Sequence, residues 1–293
     1  VNTACKVQTS PPLNLKISKP VRLPTPAVRE ATPYATQGGV LDLRAFAGDA
    51  HITVEKWWFI LLGQVGWLKC TGTADANGSP YTINVAIAAP ITSSDLSGGL
   101  EKLLPRAELE KLRNLTPLVV EYMATPDVGG VQSNAITFPV LNLKFTKPFR
   151  DLSDFTANGD LNGWQRGPAA ADPRDLVHHR EEDGNGCLFN YTYSETSNGV
   201  LLSKAIHGFE VGRKYSFSIA VKRFNLAGAA PRFSLNVNSV PVTAQTDFPN
   251  MVWAALTGTF TATSASMSLN IYSHVYTGIG NDYLLDKIYV REV

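Results

Sequence analysis

Thr137–Pro148 reads TFPVLNLKFTKP, and Thr9–Pro20 reads TSPPLNLKISKP. The two stretches begin at positions 137 and 9, an offset of 128 residues, and most of their positions are identical. A fixed period of this kind is the signature of repeated structural units. Leu141 to Phe145 is a short strand-like run, so the echo is read as the closing strand of a unit that occurs twice. On that reading residues 1–20 are the last strand of a truncated preceding repeat, and residues 21–148 are one complete repeat. Two similar strands of a single domain are the alternative.

Working outward from that strand, the dominant period of residues 21–148 is two. Tyr81, Ile83, Val85 and Ile87 alternate with Thr82, Asn84 and Ala86, which predicts a half-buried strand with its apolar face inward. Similar runs occur at Val40 to Leu43, Ile52 to Val54, Val65 to Cys70 and Val119 to Met123, separated by turn signals such as Asp75 to Pro80. Many short strands joined by such turns predict a sandwich. One helical insertion is expected to lid an end of it: Thr92, Ser93, Ser94 and Asp95 are capping candidates, Pro105 suits a first turn, and Leu109 and Leu112 recur at helical spacing. Trp57, Trp58 and Trp67 have apolar neighbours and are read as core rather than as a stacking platform.

Lys147 to Asp154 is linker-like, and residues 149–293 again show strand periodicity. Apolar residues alternate in Tyr215, Phe217, Ile219, Val221, in Phe233, Leu235, Val237, and in Met267, Leu269, Ile271. A chain of 293 residues is long enough for two separate cores. Lys plus Arg at 26 against Asp plus Glu at 25 leaves a net charge of +1, too little positive field to hold a phosphate backbone, so nucleic acid is not an expected partner. The longest apolar stretch, Trp57 to Leu62, falls far short of the roughly 20 residues that cross a bilayer, so no membrane span is expected. The chain begins at Val1 without an apolar leader and is read as a piece of something longer. Cys5, Cys70 and Cys187 are dispersed and form no CxxC pair; Cys70 and Cys187, in strand-like runs, are expected to be buried apolar residues.

Two resemblances give the patterns a more specific form. LDLRAFAGDAHITV, WWFILLGQVGWLKCTGT, SPYTINVAI and GGLEKLLPRAELEKLRNLTPLVVEYMA, within residues 27–147, resemble the immunoglobulin-like repeats of large bacterial surface and adhesin-type proteins. That resemblance implies a spacer and carries no functional residue. NGDLNGW, GRKYSFSIAVKR, WAALTGTFTATS and DYLLDKIYVRE, within residues 155–293, resemble the jelly-roll carbohydrate-binding modules appended to bacterial cellulases and xylanases. The fold class expected is therefore all-β, an immunoglobulin-like β-sandwich repeat followed by a β jelly-roll sandwich.

The second resemblance implies a glycan bound across the exposed face of one sheet and a structural calcium ion far from the sugar. The family's calcium site maps onto Asn158, Asp160 and Asp286, which offer the hard oxygen ligands calcium requires. An Asx turn at Asn158 to Asp160 and a capped strand end at Asp286 are the plainer account. Lys287 also stands where the family usually has a second acid. For the glycan, the outward sets are Ser218, Ala220, Lys222, then Ser234, Asn236, Asn238, then Ser268, Asn270, Tyr272. Sugar recognition needs a flat aromatic against C–H faces together with amide and charged groups for hydroxyls. Tyr272, Asn270, Asn236 and Lys222 supply those types, and Tyr191 and Tyr193 in LFNYTY offer a second platform. An ordinary solvated sheet face is the competing account of the same residues. The resemblance makes Trp253 structural, and Trp164 is read as a core or rim residue.

His178, His179, Glu181, Glu182 and Asp183 form the densest titratable cluster, which is read as a flexible charged loop ending in Gly184 and Gly186. Nucleophile-elbow, zinc-protease, phosphate-loop and dinucleotide motifs are absent from the sequence. The expectation is a non-catalytic, secreted or bacterial surface protein, a glycan-binding tip on a repeat stalk serving adhesion. A purely structural or host- or partner-protein-binding segment, or a toxin or enzyme accessory, is the alternative.

Overall fold

The computed structural model describes residues 22–156, 159–193 and 195–293, and these divide between Thr146 and Lys147 into two compact units. The echo at Thr9–Pro20 and Cys5 lie outside the described residues, as does Asn158. No helix among the described residues is long and apolar enough to cross a membrane.

The first unit is a two-sheet sandwich built from β1 (Ala27–Val28), β2 (Ala31–Thr32), β3 (Val40–Asp42), β4 (Ala50–Val54), β5 (Gln64–Thr73), β6 (Pro80–Pro90), β7 (Leu100–Leu104), β8 (Thr116–Val128), β9 (Ile136–Thr137) and β10 (Leu141–Thr146). One sheet has the order β1-β4-β7; the other runs β2-β3-β10-β8-β5-β6, with β9 on β8. The repeated motif forms β10, antiparallel to β8 and parallel to β3. Its alternation sets its burial: Leu141, Leu143 and Phe145 face the core while Asn142 and Lys144 are exposed. Beside it, Trp57, Tyr122 and Phe138 form an aromatic cluster with ring centroids 4.8–5.6 Å apart. Gly66 lies under the Tyr122 ring, where an added Cβ would stand 2.8 Å from the phenol oxygen.

The place between β3 and β8 is filled by β10, the second copy of the motif. If residues 1–20 are the closing strand of a preceding repeat, deleting them is expected to leave the thermal unfolding of the first unit within about 1 °C of the intact chain. A large fall in differential scanning calorimetry would place that segment within the unit.

Three expectations for this unit need correction. The single helical insertion is instead α1 (Ser93–Gly98), strand β7, and the one-turn α2 (Arg106–Leu109). Thr92 does cap α1, in a reciprocal box with Asp95, but Gly99 at φ +84° ends it, where a Cβ would meet the Val54 carbonyl at 2.5 Å. The chain then pairs with β4 rather than coiling further. The alternation of β6 breaks after Val85: Ile83 is buried, but register shifts against β5 and a positive φ at Ala88 turn Ile87 to solvent. Of the three tryptophans only Trp57 is core; Trp67 is half-buried and Trp58, in the turn after β4, is 72% exposed.

The second unit is a jelly-roll sandwich of β11 (Arg150–Ser153), β12 (Gln165–Arg166), β13 (Val177–Arg180), β14 (Gly186–Asn190), β15 (Gly199–His207), β16 (Lys214–Arg223), β17 (Arg232–Val237), β18 (Val240–Pro241), β19 (Thr246–Asp247), β20 (Ala254–Thr261), β21 (Ser266–Ser273) and β22 (Tyr283–Glu292). A front sheet has the order β13-β14-β22-β16-β20, with β11 on β22, and a back sheet the order β12-β15-β21-β17-β18, with β19 on β17. The long strands from β14 onward alternate between front and back, so each sheet contributes one apolar face to a shared core. Tyr215, Phe217, Ile219 and Val221 from the front meet Phe233, Leu235, Val237, Met267, Leu269 and Ile271 from the back, as their alternation predicts. Trp164 is buried against Phe217 and donates its indole N–H to Ser153 Oγ at 3.1 Å. Cys70 and Cys187 are buried, and desolvation pushes both thiols up to about 12.

Candidate functional site

In the front sheet Leu188, Ile219, Val221 and Leu285 point into the core, so their neighbours point to the opposite face, where Cys187, Leu284 and Asp286 are buried and Phe189, Ala220 and Lys222 are half-buried. Strand register aligns Val177, Phe189, Leu284 and Lys222 in one row across that face. Phe189 is the centre of an aromatic file. Its ring centroid lies 4.5 Å from Phe224, 5.6 Å from His179 and 6.1 Å from Tyr191, and Tyr191 lies 5.2 Å from Tyr193. Phe224, Tyr191 and Tyr193 are solvent-exposed, and the Arg174 guanidinium sits 4.1 Å over the Tyr193 ring.

A polar network is organised around Glu181, in the turn between β13 and β14. Its carboxylate accepts from Lys222 Nζ at 2.7 Å, Trp253 Nε1 at 3.1 Å and Asn185 Nδ2 at 3.3 Å. Burial opposes ionisation of Glu181, but these three donors outweigh it, with the charge of Lys222 helping, and its pKa falls below the ordinary value. The Lys222 ammonium is held 6.0 Å from the centre of the Trp253 ring. The face therefore sets aromatic surface, suited to the C–H faces of sugar rings, beside fixed charged and amide groups suited to hydroxyls.

The six predicted ligand residues do not share one face. Lys222, Tyr191 and Tyr193 belong to the front, whereas Asn236, Asn270 and Tyr272 are on β17 and β21 of the back sheet. There Asn236 pairs in register with Asn270, both largely buried, while Tyr272 stacks at 20° on His274, whose Nε2 is 2.8 Å from Ser234 Oγ. The cluster from His178 to Asp183 is a loop only in part: His178 and His179 lie in β13, paired with β14, while Glu181, Glu182 and Asp183 lie in the turn of that hairpin, where Glu181 is the hub of the polar network. Sequence reading also passed over Phe189, Phe224 and Asn185 and assigned Trp253 a structural role. Phe189 carried a signal, since Phe189, Tyr191 and Tyr193 alternate with the buried Asn190 and Thr192.

For calcium, Asp286 is buried, and its carboxyl is raised above the usual range by desolvation, with the charge of Asp154 adding to the effect. Its oxygens accept from Asn185 Nδ2 at 3.2 Å and from the Lys287 amide at 2.7 Å. Asp160 is exposed and accepts from the Asn162 amide at 2.7 Å, the geometry of an Asx turn. Among the described residues no three His, Cys, Asp or Glu side chains gather as a metal centre. Asp286 and Asp154, whose charge adds to the raising of the Asp286 carboxyl, are hard oxygen donors of the type calcium takes.

No protein-family model matches the chain, and no curated protein matches it. Among solved structures the chain is similar to the C-terminal domain of EclA, a sugar-binding protein, at 26% identity and a TM-score of 0.34, over 49% of this chain and 99% of that one. It is similar to the CBM22-1 xylan-binding domain of a Paenibacillus barcinonensis protein at 19% identity and a TM-score of 0.37, over 49% and 93%. A third likeness is the K1 cleaved adhesin domain of Lys-gingipain from Porphyromonas gingivalis W83, at 14% identity and a TM-score of 0.35, over 48% and 97%.

Proposed function

We propose that this chain is a non-catalytic glycan-binding protein of the cell exterior, in which the second unit lays carbohydrate along the outer face of its front sheet. The observation that carries the reading is the aromatic file of Tyr193, Tyr191, Phe189 and Phe224 on the face that also holds the Glu181–Lys222 pair. The open file suits a run of sugar rings, and the pair presents fixed charges without a nucleophile between them. The first unit, read as an immunoglobulin-like repeat, then serves as a spacer. A glycan-array screen of the intact chain tests the reading: retention of at least one oligosaccharide, lost on Tyr191→Ala with Phe224→Ala, supports it, and no retention at all defeats it.

One observation favours a second reading, contact with a partner protein. Trp58, Leu61 and Leu62 are all more than half exposed on the loop after β4, an unusual concentration of large apolar side chains in solvent.

Asp286 with Asp154 would hold calcium, which would tie the opening of the second unit to its last strand. An ion bound to the native state alone stabilises by mass action, about 2.7 kcal/mol at one hundred times the dissociation constant. Chelation is therefore expected to lower the melting temperature of the second unit, and Asp286→Asn to abolish the difference. Superimposable melts of the unaltered chain in calcium and in chelator would remove the ion from the account.

A further inference from the structure

We propose that Asp282 is the positioning residue of the aromatic face, holding its two flanking segments on either side of Phe189. Asp282 is buried at the start of β22, following Gly280 and Asn281, both at positive φ. Its carboxylate reaches in two directions. Oδ1 accepts from the Thr192 amide at 2.9 Å, between Tyr191 and Tyr193, and Oδ2 accepts from Asn225 Nδ2 at 2.6 Å, next to Phe224. Its backbone carbonyl accepts from the Phe224 amide at 2.9 Å. The preceding residue adds a further tie, since Thr192 Oγ1 donates to the Asn281 carbonyl at 2.9 Å.

These contacts explain how exposed rings on two segments can be pre-ordered. Tyr191 and Tyr193 lie beyond the end of β14, and Phe224 lies just beyond β16, so the strand ladders do not fix them. The carboxylate gives each donor its own oxygen, Oδ1 for Thr192 and Oδ2 for Asn225, whereas an amide or hydroxyl has a single oxygen to offer. Ordering the rings before binding lowers the conformational cost of engaging a ligand. Asp282 touches no ligand in this account; it acts through the rings.

The inference rests on the proposed glycan face, and its test has an arm that needs no glycan. In Asp282→Ala, amide hydrogen exchange at Thr192 is expected to accelerate by at least about tenfold, as local opening becomes easier, while β16 and β22 stay protected. Asp282→Asn keeps one acceptor and is expected to retain protection at Thr192 while releasing the Asn225 side chain, visible as a shift of its amide resonances. Unchanged exchange at Thr192 in Asp282→Ala overturns the inference. Should that variant fail to fold, Asn225→Ala is read instead: a changed Phe224 ring environment supports the tether, and an unchanged one overturns it.

The second arm measures affinity for xylo-, cello-, manno- and laminari-hexaoses. Asp282→Ala is expected to weaken binding about tenfold in the otherwise unaltered chain, but by less than about twofold once Tyr191 and Phe224 are alanine, since residues that act through one another are not additive. Equal losses in both backgrounds would mean that Asp282 does not act through the rings. Failure of the glycan reading looks different: the rings could then be removed without consequence while the Thr192 exchange result stood.

Discussion

Trp57→Ala is expected to cost the first unit about 3–5 kcal/mol, the usual range for emptying a buried tryptophan site. The side chain is 2% exposed and packs edge-on against Phe138 and obliquely against Tyr122, which themselves sit edge to face. Tyr122 in turn covers Gly66, so a cavity at position 57 removes support from the contact between β8 and β5. A loss of this size is a large part of the roughly 5–15 kcal/mol that stabilises a whole domain. Trp58→Ala, one residue on, is expected to change stability by less than about 0.5 kcal/mol because that ring is in solvent. Urea unfolding of the two variants checks the contrast, and the transition of the second unit should not move, since the two core clusters share no residue.

The second large effect concerns binding. Truncating Tyr191 or Phe224 is expected to cost about 1–2 kcal/mol each, the scale of an aromatic anchor, so that the double variant binds roughly one hundred times more weakly. Tyr272→Ala with Asn270→Ala is expected to stay within about threefold of the unaltered protein, because both residues belong to the opposite sheet. Calorimetric titration with the best-retained array oligosaccharide separates the two. A loss confined to the Tyr272 and Asn270 pair would move the site to the back sheet.

The contrast between the sheets shows what the sequence could reveal. Alternation is a local property, and it correctly assigned Phe217, Leu235 and Leu269 to the core of the second unit. It could not say which outward sets share a face, since that depends on which strands pair: β16 joins β22 and β20, whereas β17 joins β21. Lys222 and Asn236 therefore look equivalent in the sequence and lie on opposite sides of the sandwich. Glu181 was hidden for a related reason. Its chain neighbours Glu182 and Asp183 are exposed and make the segment read as a solvated loop, while its partners Lys222 and Trp253 come from β16 and the approach to β20. Of the calcium ligands read from the sequence, Asp160 is exposed in an Asx turn, and the acid whose charge adds to the raised Asp286 carboxyl is Asp154, next to β11, a position that alternation does not single out. In the first unit, tertiary pairing prevailed over helical spacing when β7 added to the edge of β4.

Glycan binding along the front sheet is tested by a nuclear magnetic resonance titration of the isotopically labelled chain with the oligosaccharide that the array retains. The largest shifts are expected at the amides of Phe189, Tyr191, Lys222 and Phe224 and at the indole N–H of Trp253, with the back-sheet amides of Asn236, Asn270 and Tyr272 unmoved. Shifts concentrated on the back sheet, or in the first unit around Trp58, would contradict it.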